Sequence, residues 1–242
     1  MIKADAQRCS GYFSVSTLPE LDGGNKIYAK YPFLKKPFEK LRQLPPSPRI
    51  LDIGCGRGQN LRRCKMIRSD AELVGVDIRN DLYFIKDPEC SFLTVNLEEG
   101  HIPLPDNSFD LITCEHVVEH LFNFNGVFLE VYRLLRPGGV AYIEAPDMRT
   151  TWLPQAPFAK CGGMNFYDDP THIRPFTQGT FRMLAARSGF KEVHTFQVRN
   201  WAWFLAGPYL LWRYIQTRDA AHLHCFVNPF LGSYVGCYLM KT

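Results

Sequence analysis

The sequence predicts an α/β fold, a doubly wound seven-stranded sheet with an antiparallel last strand. Two observations lead to this prediction. Between residues 49 and 145, short segments rich in Val, Ile, Leu and Phe alternate with helical patterns, which is typical of parallel strands buried on both faces. Nearer the C-terminus two more strand patterns follow, and we expect these last two strands to form an antiparallel edge.

Seven segments carry the strand pattern. They are Arg49–Ile53, Glu72–Asp77, Phe92–Asn96, Phe109–Cys114, Val140–Ala145, Phe190–Arg199 and Tyr234–Met240. The clearest helix covers residues 124–136, where apolar residues recur at helical spacing before the stop signal Pro137-Gly138-Gly139. One helix is expected to begin near Gln59, and another to run from an N-cap at Thr177 to Ser188-Gly189.

We divide the chain into two parts. Residues 1–45 are predicted to cover the core, and they include an amphipathic segment over residues 31–44. Residues 46–242 are predicted to form the main domain, which an aromatic insertion interrupts at about 200–233, between the last two strands. Residues 146–176 are rich in Pro, Gly, Trp and Tyr, and we expect no regular element there.

Composition and charge favour an ordinary globular protein of the cytoplasm. The formal net charge of +4 is small for 242 residues and argues against a nucleic-acid partner. The N-terminus carries no apolar signal segment, and the longest apolar run, Trp201–Trp212, is too short to span a bilayer. The eight cysteines are scattered without a Cys-x-x-Cys pair, so we expect reduced, mostly buried thiols.

A glycine-rich turn after the first strand is the strongest signal of a ligand site. Gly54, Gly56 and Gly58 permit positive φ angles and let a ligand approach main-chain N–H groups. The spacing misses the dinucleotide fingerprint by one residue, and no P-loop Gly-Lys-Ser/Thr follows. The carboxylate of Asp52 would repel a phosphate, and Asp77 ends the next strand. These residues favour a cationic, phosphate-free nucleoside, and S-adenosylmethionine is one.

The segment Leu51–Gly58 resembles motif I of the class I S-adenosylmethionine-dependent methyltransferases. Further likenesses follow in register at residues 74–78, 96–99, 103–111, 115–121 and 134–139. The resemblance implies that the carboxylate of Asp77 accepts both ribose hydroxyls. Asn96 replaces the commoner Asp beside the adenine, where its amide carbonyl can still accept a hydrogen bond. The implied cofactor site consists of Asp52, Gly54, Cys55, Gly56, Gly58, Asp77, Ile78, Asn96, Leu97 and Glu115.

The resemblance implies methyl transfer, and a second segment bears on the acceptor. Residues 165–176 lie where an α/β sheet opens its ligand crevice, and they resemble a segment of bacterial methyltransferases from surface-polysaccharide and related glycan pathways. We hypothesise that His172, oriented by Asp168 or Asp169, is the general base for a hydroxyl acceptor, and that Arg174 binds an acidic acceptor group. In the alternative interpretation, His172 and Asp169 only cap the loop and the following helix.

Two patterns contain metal-ligand residue types, and we predict no metal at either. His116, Glu119 and His120 match an inverted zinc-protease pattern, in which two histidines lie one helical turn apart with a glutamate between them. A third ligand would be needed, and the resemblance implies instead that this turn forms a wall of the cofactor pocket. The segment His222–Cys225 has no partner pair with ligand spacing.

The predicted function is methyl transfer from S-adenosylmethionine to a hydroxyl of a sugar or another small polar molecule. An amine, RNA or lipid acceptor, or a non-catalytic cofactor-binding scaffold, remains as an alternative. The insertion allows several roles: core packing, the face of a homodimer, an acceptor lid, or peripheral membrane contact through Trp201–Trp212. Aromatic residues favour the bilayer interface, and Arg213 and Arg218 could meet lipid phosphates.

Overall fold

The computed structural model describes residues 36–82, 85, 88, 90–155, 164–199, 201–218 and 220–242. Its centre is a seven-stranded sheet in the order β3-β2-β1-β4-β5-β7-β6. The strands are β1 (Arg49–Ile53), β2 (Glu72–Asp77), β3 (Ser91–Thr94), β4 (Phe109–Glu115), β5 (Leu135–Pro146), β6 (Glu192–Val198) and β7 (Tyr234–Met240). β7 runs antiparallel to both of its neighbours, β5 and β6, and the other pairs are parallel. The predicted fold class is confirmed.

Helices cover both faces of the sheet. They are α1 (Lys36–Glu39), α2 (Gln59–Ile67), α3 (Phe124–Leu134), α4 (Gln178–Arg187), α5 (Trp201–Leu205), α6 (Gly207–Thr217) and α7 (Ala220–Leu231). Because side chains alternate along a strand, β1 sends Leu51 and Ile53 into the apolar cluster under α3 and α4, and Ile50 into the cluster under α1 and α2. The alternation therefore places Asp52 on the same face as Ile50.

The described part of the N-terminal segment packs on the sheet. Phe38 and Leu41 are fully buried in the cluster under α1 and α2. The guanidinium of Arg68 donates hydrogen bonds to the carbonyls of Leu41 (2.9 Å), Leu44 (3.0 Å) and Pro45 (2.6 Å), which fixes the path of the chain into β1. The amphipathic segment predicted over residues 31–44 is described from Lys36 onward, and the rest of the predicted cover lies outside the described residues.

Several predicted boundaries agree with the structure, those of β3, β4, β6 and the end of α3 differ by one or two residues, and the start of β5 differs most, for a clear reason. The side-chain oxygen of Thr177 accepts from the amide of Thr180 at 3.1 Å, so the predicted N-cap of α4 is confirmed. α3 ends at Leu134, and β5 begins at once with Leu135, not at Val140. The stop signal is itself part of the strand, because the amide of Gly138 donates to the carbonyl of Lys241 at 2.6 Å beyond the end of β7.

The insertion between β6 and β7 forms three helices, α5 to α7, where the sequence pattern predicted no specific elements. Among the described residues, no helix is both long enough and apolar enough to cross a membrane. The described cysteines form no disulfide with one another, and five of them are buried. These five are Cys55, Cys64, Cys90, Cys114 and Cys237.

The side chain of Glu130 on α3 holds the loop after β3 in place through hydrogen bonds. This nearly buried carboxylate accepts from the amide of Ile102 (2.7 Å) and from the guanidinium of Arg133 (2.7 and 2.8 Å). Burial alone would raise the pKa of Glu130, but the bonds from Arg133 and Ile102 outweigh it and lower that pKa below 4.5. The stabilisation is therefore present above pH 4.5 and is lost as the pH falls through the lower, folded-state value.

We expect Glu130→Gln to lower the free energy of unfolding by about 1–3 kcal/mol at pH 7, because it weakens the bonds to Arg133 and Ile102. The difference from wild type should shrink as the pH falls below 4.5. Urea unfolding at several pH values measures both effects. Glu72→Gln is the control, since the ion pair of this exposed residue with Arg49 should contribute less than about 1 kcal/mol. Equal effects of the two variants would contradict the prediction.

Candidate functional site

The glycine-rich turn joins β1 to α2 in left-handed backbone conformations. Gly54, Gly56 and Gly58 have φ angles of +72°, +51° and +80°. The amides of Gly54 and Cys55 both donate to the carbonyl of Val76 in β2, at 2.7 and 3.1 Å. A Cβ atom on Gly56 would meet nothing within 4 Å, so the turn is open there to an approaching group.

The two predicted acids lie at different depths below this turn. Asp77 accepts from the amides of Gly56 (2.9 Å) and Arg79 (3.2 Å), which holds its carboxylate against the open part of the turn. Asp52 is only 3% exposed and accepts from the hydroxyl of Thr113 on β4 at 2.6 Å. The carboxylate of Asp77 therefore lies at the open part of the turn, whereas that of Asp52 is buried against β4.

The ends of β2 and β3 bring the next predicted residues to the same edge of the sheet. Ile78 follows Asp77 and exposes 61% of its surface, so a branched apolar side chain stands beside the acid. The side chain of Asn96 is engaged within its own loop: its oxygen accepts from the amide of Glu98, and its nitrogen donates to Glu99. Leu97 packs partly against the core.

Two more predicted residues flank the turn. Cys55 is buried against Gly75 of β2, where a Cβ atom would lie 2.8 Å from the cysteine sulfur. Burial raises the pKa of Cys55, and so do Asp52 and Asp77, so this side chain stays a neutral thiol. The carboxylate of Glu115 accepts from the side-chain amide of Asn60 at 3.2 Å.

A buried ionic cluster follows β4. His116 has a φ of +57°, and its ring nitrogens lie 3.4 Å from carboxylate oxygens of Glu119 and Glu144. Burial alone would lower the pKa of His116, but the two carboxylates raise it to about 10, so the ring is cationic near neutral pH. Tyr142 donates to Glu144, and the ring of Tyr234 packs edge-on against His116. Sequence analysis missed Glu144 and Tyr234, because neither belongs to a motif.

His172 and its surroundings form a second polar cluster near the first. The Nδ1 atom of His172 lies 2.8 Å from the carbonyl of Phe166, and the ring stacks on the Phe166 ring. A carbonyl only accepts, so Nδ1 carries the proton and the lone pair is on Nε2. That Nε2 atom lies 3.8 Å from the carboxylate of Asp169. The carbonyl of Phe166 thus orients the ring, and Asp168 instead accepts from the amide of Asn165.

A hydrogen-bonded chain joins His120 to the same loop. The hydroxyl of Thr171 donates to Asp169 at 2.6 Å, and the Nδ1 atom of His120 lies 2.9 Å from that hydroxyl oxygen. Since the hydroxyl hydrogen goes to the carboxylate, His120 donates from Nδ1 and has its lone pair on Nε2. Burial alone would raise the pKa of Asp169, but the two hydrogen bonds from Thr171 outweigh burial and lower that pKa. The ring centroids of His120 and His172 are 4.8 Å apart.

The two clusters and the glycine turn share one edge of the sheet. The amide of Ile173 donates to the carbonyl of Glu119 at 2.8 Å, which ties the His172 loop to the turn after β4. Val117 of that turn lies against Gly54, where a Cβ atom would approach its Cγ2 atom to 2.1 Å. The guanidinium of Arg174 lies 4.3 Å from the centroid of the Phe124 ring, so it packs on the first residue of α3.

Comparisons with known proteins agree with this arrangement. A family model described as a methyltransferase domain matches residues 28–195, more than half of the chain. The chain belongs to this family. A probable S-adenosylmethionine-dependent methyltransferase from Mycolicibacterium smegmatis is 26% identical to this methyltransferase domain over 186 residues, covering 75% of this chain and 66% of that protein. The cofactor of the domain is S-adenosylmethionine.

Two further comparisons add detail. A demethylmenaquinone methyltransferase from Tropheryma whipplei is 32% identical over 93 residues, 37% of this chain and 38% of that protein. The chain therefore spans less than two thirds of the length of these curated relatives. The crystal structure of an S-adenosylmethionine-dependent methyltransferase from Mesorhizobium loti superposes with a TM-score of 0.61 at 19% identity, covering 90% of this chain and 100% of that one, and shares the fold.

We expect Gly54→Ala to destabilise the methyltransferase domain by about 2–5 kcal/mol, from left-handed strain of about 1–2 kcal/mol and a clash with Val117 of about 1–3 kcal/mol. Gly138→Ala is the matched control: its φ is also positive, at +80°, but a new Cβ atom there would meet nothing within 4 Å. Gly138→Ala should lower the free energy of unfolding only by the left-handed strain of about 1–2 kcal/mol. Equilibrium unfolding in urea compares them, and equal losses would show that Val117 yields freely.

Proposed function

We propose that this chain transfers the methyl group of S-adenosylmethionine to a hydroxyl of a small polar acceptor, with a sugar as the favoured class. The observation that supports this proposal is the position of His172. The hydrogen bond from its Nδ1 atom to the carbonyl of Phe166 leaves the basic Nε2 atom on the other side of the ring. His172 lies at the edge of the sheet that also carries the glycine turn. A hydroxyl must lose its proton during methylation, and a neutral imidazole is the group best suited to accept it near pH 7.

The residues around the glycine turn fit the cofactor. Gly56 leaves open space in the turn, Asp77 presents a carboxylate at the same place, and exposed Ile78 offers an apolar face beside it. A carboxylate matches two ribose hydroxyls, and an exposed branched side chain can pack against a purine. The proposed cofactor residues are Asp52, Gly54, Cys55, Gly56, Gly58, Asp77, Ile78, Asn96, Leu97 and Glu115.

When bound, S-adenosylmethionine supplies an electrophilic methyl group on a sulfonium, which an acceptor oxygen takes as the carbon–sulfur bond breaks and a neutral thioether leaves. The protein's contribution is alignment and exclusion of water, which can supply roughly 7–11 kcal/mol. Asp52 and Glu115 place negative charge at this edge, which suits a cationic donor. His172 accepts the hydroxyl proton, and the nearby carboxylate of Asp169 stabilises the resulting imidazolium.

Peripheral contact with a membrane is a second, weaker proposal that the surface of α6 supports. Tyr209, Trp212 and Ile215 recur at helical spacing, and each exposes 52–53% of its surface. Leu205, at the end of α5, is 85% exposed. Exposed apolar side chains of this kind would suit an acceptor carried on a lipid.

Asp77→Asn should weaken S-adenosylmethionine binding roughly 10- to 100-fold, because a charge-assisted bond to the ribose contributes about 1.5–3 kcal/mol. The asparagine oxygen can still accept from Gly56, so the turn should persist. Asp81→Asn is the control, since this exposed acid pairs only loosely with Arg57 at 3.6 Å. Calorimetric titration of both variants measures the effect, and unchanged affinity in Asp77→Asn would refute the ribose role.

Release of S-adenosylhomocysteine with a panel of sugar, amine, RNA and lipid acceptors tests the proposed reaction. We expect turnover with a hydroxyl acceptor, and His172→Ala should lower kcat by about 10²–10⁴-fold if the imidazole is the general base. The control is His194→Ala, because His194 is exposed on β6. Turnover with amines alone would overturn the hydroxyl assignment, and near-wild-type kcat in His172→Ala would overturn the base assignment.

Co-sedimentation with anionic vesicles tests the membrane contact. Wild type should pellet with the vesicles, and Trp212→Ala combined with Leu205→Ala should release it, because both remove exposed apolar area from one surface. Trp152→Ala is the control, since Trp152 is 79% exposed but lies in the turn after β5. Failure of wild type to pellet, or equal release by the control, would dismiss the contact.

A further inference from the structure

Three potential metal ligands from distant parts of the sequence meet beside the glycine turn. Glu119 and His120 lie in the turn after β4, and His172 lies in the loop after β5. One ligand atom from each residue lies within 4.8 Å of the other two. The pattern of His116, Glu119 and His120 lacked a third ligand in the sequence. The structure instead groups Glu119 and His120 with His172, 52 positions after His120, and leaves His116 out of the set.

The carboxylate of Glu119 gives independent evidence of a missing ligand. Its side chain is completely buried, and neither of its oxygens accepts a hydrogen bond, although the ring of His116 forms an ion pair with one of them at 3.4 Å. Leaving a buried carboxylate without hydrogen bonds costs free energy, since such groups are almost always satisfied in folded proteins. The other ring nitrogen of His116 lies 3.4 Å from Glu144, so one imidazole is shared between two carboxylates.

Both histidines are held as metal-binding histidines usually are. His172 donates from Nδ1 to the carbonyl of Phe166, and His120 donates from Nδ1 to the hydroxyl of Thr171, which in turn donates to Asp169. Such bonds to a carbonyl or a carboxylate-linked group fix the tautomer and leave the Nε2 lone pair as the donor. The tautomers assigned here therefore put both lone pairs on the nitrogens that a shared cation would use.

We propose that Glu119, His120 and His172 bind one divalent first-row transition-metal ion, and Zn²⁺ is the ion we expect. Two imidazoles and one carboxylate form a ligand set that zinc accepts, whereas Mg²⁺ and Ca²⁺ prefer oxygen ligands alone. Ligand atoms about 2.1 Å from one ion lie roughly 3–3.5 Å apart, so the three side chains must close by about 1–2 Å from the present separation. Three protein ligands leave a coordination position for another oxygen.

The site deepens the proposed function, and this part of the inference rests on it. An acceptor hydroxyl in the remaining position would have its own pKa lowered by the cation, which eases its deprotonation. The single lone pair on Nε2 of His172 cannot bind the cation and accept a proton at the same time. With the cation bound, His172 is therefore a ligand and not the general base, and the hydroxyl proton would pass to water. The inference rests on methyl transfer from S-adenosylmethionine to a hydroxyl, and not on the general-base role of His172.

Titration of the metal-stripped full chain with Zn²⁺ alone, monitored by calorimetry, tests the site. A separate titration with Co²⁺ is monitored by the visible absorption of the bound ion. We expect one equivalent per chain. Glu119→Gln, His120→Ala and His172→Ala should each weaken binding more than about 100-fold, and Thr171→Ala should weaken it about 10- to 100-fold by releasing His120. Because Thr171→Ala keeps all three ligands, it answers the question even if a ligand variant fails to fold.

The matched controls are His194→Ala and His222→Ala, which should bind Zn²⁺ like wild type. Substoichiometric binding by wild type, unchanged affinity in Thr171→Ala and His172→Ala, or loss of binding in His222→Ala would overturn the assignment. Asp77→Asn separates this inference from the proposed function, because it should retain Zn²⁺ while losing affinity for S-adenosylmethionine. Zinc binding without release of S-adenosylhomocysteine for any acceptor would refute the proposed reaction only.

Discussion

The carbonyl of Val76 is the fixed point of the candidate site. It accepts from two successive amides, those of Gly54 and Cys55, and so binds the end of β1 to the end of β2. These bonds require a left-handed residue at Gly54 and a close approach between Cys55 and Gly75, which only glycine permits. Gly56 then faces Asp77, and the carboxylate completes the turn through the Gly56 amide. The geometry of the candidate cofactor edge follows from this one junction.

The opposite wall of the edge is stabilised by charge and not by apolar packing alone. The buried carboxylates of Glu119 and Glu144 face the ring of His116, in the positive-φ conformation that begins the turn after β4. Removing one member of such a group leaves a buried charge without compensation, which is far more costly than a surface substitution. The same turn packs Val117 against Gly54, and its Glu119 carbonyl accepts a hydrogen bond from the amide of Ile173. It therefore couples the candidate cofactor edge to the His172 loop.

The sequence predicted the fold well where local patterns decide structure. β1, β2 and β7 begin and end at the predicted residues, because continuous apolar runs between turn signals mark buried strands. β5 begins five residues earlier than expected, since Pro137-Gly138-Gly139 both ends α3 and pairs with neighbouring chain. Helices α5 to α7 were not predicted: their aromatic residues fit several structures, and tertiary contacts between α6 and α7 decide among them.

The site was predictable in its motif residues and not in their partners. Asp77 and the three glycines stand in a recognisable pattern, so their place beside one another could be expected. Asn60, Glu144 and Tyr234 contact site residues from elements far away in the chain, and no local pattern marks them. The meeting of His120 with His172 likewise depends on how the loop after β5 folds back, which one sequence does not disclose.

The position of β7 has a consequence for how the protein is made. This strand is the last in chain order, yet it lies between β5 and β6 and pairs with both along its whole length. β6 therefore has no neighbour in the sheet until β7 has been made, and β5 keeps an open edge until then. Pairings so distant in sequence form slowly and expose aggregation-prone edges meanwhile. Before β7 is in place, the open edges of β5 and β6 are therefore the parts of this fold most exposed to misassembly.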